Sequence, residues 1–166
     1  AKSIYADGKN AQKDSGDYRT LGGFASAAGK NHDYDSYYGA DGSIGAHIMA
    51  AMDGTGDFEG TSDTVRYQGI AKLTVNMGMV GYTIHELNAA IAKAEAGNWG
   101  TDDAQHAWDE GWAFFHGPEA NYGCSPAKVM EKRAADFGTA DADGNAATFI
   151  ATRNAMNDGL TAVSYT

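Results

Sequence analysis

Apolar residues keep one long rhythm through the middle of the chain. Ile70, Leu73, Met77, Val80, Ile84, Leu87, Ile91 and Ala94 succeed one another at spacings of three and four, the repeat of a helix that buries one stripe. The pattern predicts a long central helix, running from a cap at Thr61 or Ser62 to a stop at Gly97. Val75, Met79 and Tyr82 make a second apolar stripe, which implies neighbours on more than one side. Gly69, Gly78 and Gly81 each cost a helix about 1 kcal/mol relative to Ala. Their presence suggests close approach by a partner helix or room for a bound group.

Four shorter helices are expected around it. Residues 43–52 read as a helix capped by Ser43 and ended at Gly54. Thr101 is expected to cap a helix whose first turn carries Asp102 and Asp103, suited to the positive N-terminus, and which Gly117–Pro118 stops after His116. Ser125–Pro126 opens the next, with Pro in its favoured first-turn position and an end near Gly138. The last begins near Asn145 and carries Phe149, Met156, Leu160 and Val163. Stretches such as Gly-Asp-Tyr-Arg-Thr-Leu-Gly-Gly and Asp-Gly-Thr-Gly-Asp-Phe-Glu-Gly are turn chemistry, and no alternating strand pattern stands out. The expected fold is all-α: one domain over 1–166, with a loop-rich segment 1–42 and a bundle of four to five helices over 43–166.

The 166 residues are 43% hydrophobic and 11% aromatic, enough to build a core. Twelve Lys and Arg stand against 22 Asp and Glu, a formal charge of -10. That balance repels nucleic acid and anionic lipid, whose recognition rests on neutralising phosphates, and it attracts cations. No apolar run approaches the roughly 18 residues of a membrane helix. A start at Ala1-Lys2-Ser3 fits a mature secreted chain whose signal peptide has been removed. Cys124 is the single cysteine, which excludes an internal disulfide and a cysteine metal cluster.

The common enzyme signatures fail. His85-Glu86 would need a second His at position 89, where Ala89 stands. Asp141-Ala-Asp143-Gly144 lacks the remaining ligands of a calcium loop. Residues 39–45 match no phosphate loop, and no Ser or Cys sits in a nucleophile elbow. A conventional enzyme is therefore not expected.

Histidines and carboxylates on helices remain. His106, Asp109, Glu110 and Ala113 share one stripe of their helix, and Ala104, Trp108, Trp112 and Phe115 the apolar one. His106 and Glu110, one turn apart, have the spacing of two ligands to one ion, and equally that of a solvated ion pair. His85 and Glu86 lie off the central seam. His47 sits among apolar residues, as a ligand or as a core histidine. Iron accepts such a mixture of carboxylate and imidazole. Tyr34, Tyr37 and Tyr38 are concentrated in a segment expected to be a loop, where aromatics serve as a lid or a binding surface.

Four segments carry a family resemblance. Val-Arg-Tyr-Gln-Gly-Ile at 65–70, the run from His85 through Asn98, Ala-Trp-Asp-Glu-Gly-Trp-Ala-Phe-Phe at 107–115 and Glu-Lys-Arg-Ala-Ala-Asp-Phe-Gly-Thr at 131–139 resemble the iron-assimilation proteins of algae. The Trp-Asp-Glu-Gly-Trp block is the most specific, and the likeness spans roughly residues 43 to 160. These are periplasmic or secreted proteins induced by low iron or high carbon dioxide. The resemblance implies secretion, an α-helical domain and capture of iron outside the cell. Matching position makes Glu86, Asp109 and Glu110 the expected ligands, with His85 and His106 in the same segments and His47 or His116 completing the shell.

A second expectation comes from the Met and aromatic supply. Met77, Met79, Tyr82, Trp108 and Trp112 offer apolar surface for a chromophore such as a carotenoid. So long a cargo exceeds the cavity that a domain of this size encloses, so it would sit at the interface of a homodimer.

Overall fold

The computed structural model describes residues 11–12, 18–27, 30, 33–118 and 124–164. The chain divides into two compact units, Ala1–Tyr82 and Thr83–Thr166. The division falls inside the long helix.

Among the described residues, the first element of the first unit is a minimal antiparallel pair, β1 (Ala11–Gln12) and β2 (Tyr18–Arg19), in which Ala11 pairs with Arg19 and Gln12 with Tyr18. Helices α1 (Leu21–Ala25), α2 (Asp33–Tyr38) and α3 (Ser43–Asp53) come next. The tyrosine-rich segment expected as a loop is therefore helical. Ser43 is also not the cap of α3. Gly42, in a left-handed conformation, holds that position and offers no side chain, so Asp35 of α2 does the work from outside. Its Oδ1 accepts the Ser43 backbone N–H (3.1 Å) and the Ser43 hydroxyl (2.8 Å). Gly54 ends α3 as expected. Arg66 then reaches back to the freed carbonyls, donating from Nε to Ala51 (3.0 Å) and from Nη2 to Met52. A 3-10 turn, Gly56–Phe58, leads to α4 (Asp63–Lys72), whose first turn Ser62 caps by accepting the Val65 N–H. Ala25, Ile44 and Ile48 form the buried centre, with Met49, Met52, Leu73 and Met77 around it.

The long helix exists, but it is not uniform. After α4 the backbone widens into a π-helical segment, Leu73–Met79, before α5 (Val80–Glu95). Thr74 Oγ1 donates to the Ile70 carbonyl at 2.8 Å, competing with the ordinary backbone bond of that turn. Gly78 removes a side chain just beyond. Together these give local reasons for the wider turn. Each residue added to a turn rotates the rest of the helix by about 100°, and the regular seam breaks. Val75, Gly78, Tyr82, Glu86, Ala90 and Ala94 face inward, while Ile84 and Ile91 of the expected seam are exposed.

In the second unit, α6 (Ala104–His116), α7 (Pro126–Asp136) and α8 (Ala147–Val163) succeed α5. Thr101 does not cap α6. Asp103 holds that place without a side-chain bond, so the two aspartates precede the helix instead of filling its first turn. Ser125 does cap α7, with Pro126 at its start, accepting the Lys128 N–H at 3.2 Å. Phe115, Ala127, Ala134, Ala146, Phe149 and Met156 are buried together. Leu160, expected inside, is exposed. Among the described residues the regular structure is helical apart from the β1–β2 pair and one isolated bridge, Ala140 with Ala146, and the fold is all-α.

Candidate metal centre

α6 has the two faces its sequence demands. Ala104, Ala107, Gly111 and Phe115 are buried. Trp108 completes that face by lying across α8. Its Nε1 donates to the Met156 carbonyl at 2.9 Å, and its ring occupies the space where a side chain at Gly159 would stand. Gly111 allows a second close approach, because a Cβ there would meet the Leu87 side chain of α5 at 3.0 Å. With both contacts on one side, the opposite stripe faces solvent.

That stripe carries the candidate ligands. His106 Nε2 and Glu110 Oε1 stand 3.5 Å apart, with side chains 57% and 34% exposed. Two donors that each lie about 2.1 Å from a shared ion are separated by up to about 4.2 Å, so the pair fits as two ligands of one cation. Asp109 is exposed next to them. Among the described residues no group of three His, Cys, Asp or Glu converges on one point. The structure therefore brings together two of the expected ligands and not the whole shell.

Glu86 is buried on α5 at 8% exposure and His85 half-buried, and both are engaged with neighbours. His116 stacks on Trp112 (centroids 4.7 Å apart, 18° between planes), and its Nδ1 lies 3.0 Å from the Gly117 carbonyl. His47 belongs to the first unit, where its Nε2 lies 3.8 Å from Asp57 Oδ2. Sequence reasoning misses Asp57 because it sits in a glycine-rich turn. The only signal for it is its place just beyond the stop of the His47 helix.

The residues considered for a chromophore are largely committed to packing. Met77 lies against the first unit's core. Tyr82 accepts a bond from Lys30 Nζ at 3.0 Å and packs edge-on to Phe24. Trp108 and Trp112 belong to the second unit's core. Met79 is half-buried in the π-helical segment.

The loop before α8 is a structural turn. Asp141 Oδ1 accepts the backbone N–H groups of Asn145 (2.7 Å) and Asp143 (3.0 Å), and the Asn145 amide at 3.2 Å. These bonds, led by the Asn145 backbone, hold its carboxyl below the usual carboxylate range.

The described residues define a small, predominantly helical protein that carries an imidazole–carboxylate pair on a solvent-facing helix stripe. The family is more specific. The chain belongs to the Fea1 family, described as low iron-inducible periplasmic protein, whose model matches residues 1–161. The match includes the N-terminal third, which the sequence resemblance does not reach. The family is periplasmic, and no helix among the described residues is long and apolar enough to cross a membrane. No curated protein and no solved structure matches the chain.

Proposed function

We propose that the protein is a non-enzymatic iron-binding protein that captures the ion outside the cell membrane, and that His106 and Glu110 provide the first two ligands. The observation that carries this reading is their 3.5 Å separation on one exposed helix stripe, in a chain of a low-iron-inducible family. An imidazole and a carboxylate suit iron better than calcium or magnesium, which prefer oxygen alone. Two protein ligands leave most of the coordination sphere to water or to the small molecules that accompany dissolved iron. Such a site exchanges its ion readily, which suits capture and transfer more than storage. Asp109 beside the pair, and the charge of -10 over the chain, raise the local cation concentration.

Glu110→Ala tests the reading. The variant should hold less iron at a given free concentration while its helix content is unchanged by circular dichroism, since a half-exposed ion pair contributes about 0.5 kcal/mol or less to folding. Undiminished iron binding in that variant would remove Glu110 from the site. A visible absorption band lost on organic extraction would favour the apolar-carrier reading instead.

A further inference from the structure

We propose that His47 and Asp57 form a separate site for a borderline divalent transition cation, in the groove between α3 and the following 3-10 turn. Three features of the groove converge on this. First, His47 Nδ1 lies 3.0 Å from the Ser43 carbonyl. A carbonyl can only accept, so Nδ1 carries the proton and the lone pair of the neutral ring resides on Nε2. Metal-binding histidines are fixed in this way, with the second ring nitrogen given to a backbone carbonyl or carboxylate.

Second, Nε2 stands 3.8 Å from Asp57 Oδ2. That is too far for a hydrogen bond and within the span of two donors sharing one ion at about 2.1 Å each. Third, there is room. The two residues line a groove of about 260 Å³ together with Ala46, Ala50, Gly56 and Phe58. None of these lining residues brings a Lys or Arg that would occupy the carboxylate. Tyr38 packs on the imidazole at 4.6 Å between centroids and steadies the ring.

One nitrogen and one carboxylate select zinc, ferrous iron and similar ions over calcium or magnesium. The site lies in the first unit and shares no residue with the His106–Glu110 pair, so either can fail without the other.

The test uses the full chain and zinc, a diamagnetic probe, with the imidazole nitrogens tracked by long-range proton–nitrogen NMR. Zinc should shift His47 Nε2 while Nδ1 keeps its proton. Asp57→Asn, an exposed and isosteric change, should weaken the response by about tenfold or more. A variant lacking both His106 and Glu110 should show the His47 response unchanged. An unmoved Nε2 signal at excess zinc, or an identical response in Asp57→Asn, would overturn the proposal.

Discussion

His106 and Glu110 stand on one helix, whereas His47 and Asp57 belong to a helix and to the turn after it. The first pair takes its spacing from the helical repeat itself, and it persists wherever α6 is formed. Its support is stiff, since the far side of α6 is fixed by the Trp108 bond to Met156 and by two close approaches at glycines. The second pair depends on where the chain goes after Gly54. That path is held by Arg66 on the last carbonyls of α3 and by Phe58, whose ring fills the space beside Gly69. A pair on one element tolerates loosening around it. A pair between elements is only as well placed as the turn that joins them.

Damage to the two supports should separate them. The largest effect is expected from Phe149→Ala, which empties the centre of the second unit and should cost about 4 kcal/mol. All three tryptophans, Trp99, Trp108 and Trp112, lie in that unit. Their fluorescence in denaturant therefore reads this loss directly, and a change under about 1 kcal/mol would show that the ring is not a core element.

Two glycine substitutions sharpen the contrast. Gly159→Ala drives a methyl into the tethered Trp108 ring and should cost about 2 kcal/mol. Gly69→Ala meets Phe58, a half-buried ring on a short turn that can swing aside. Its cost should be smaller, offset by the roughly 1 kcal/mol that alanine gains over glycine in a helix. Moving Phe58 also moves its neighbour Asp57, so Gly69→Ala should weaken the zinc response of His47 while sparing His106. Equal costs for the two substitutions would contradict this picture of a stiff and a yielding support.

The smallest effect concerns acid. The Asp141 carboxyl is held below its ordinary value of 3.8 by the Asn145 and Asp143 bonds. A lowered folded value means that its contribution is complete above the unfolded value and fades as pH falls through the folded one. The second unit should therefore lose some stability below about pH 4, and Asp141→Asn should flatten that part of the curve. Identical acid profiles for the two proteins would show that the turn does not depend on the charge.

Much of the fold is legible in the chain because helix punctuation is local. Ser62, Gly97, Ser125–Pro126 and Gly117 act within a turn of themselves and fall where expected. The rest depends on distant partners. Nothing near Ser43 shows that Asp35 will reach across to its N–H. The seam of the long helix reads as continuous, whereas the backbone widens at Leu73–Met79, Ile84 and Ile91 are exposed and Glu86 is buried. The site obeys the same rule. His106 and Glu110 can be paired from an i, i+4 spacing, whereas Asp57 can be joined to His47 only once the turn after Gly54 is known.

The most direct test of the central claim is the metal content of the protein purified from its own source without chelators, read by elemental mass spectrometry. Near-stoichiometric iron, reduced when His106 and Glu110 are both replaced by Ala, is the expected result. Protein that carries no iron and takes up none on addition of ferrous or ferric salts would contradict it, and would leave the His106–Glu110 pair as a surface ion pair.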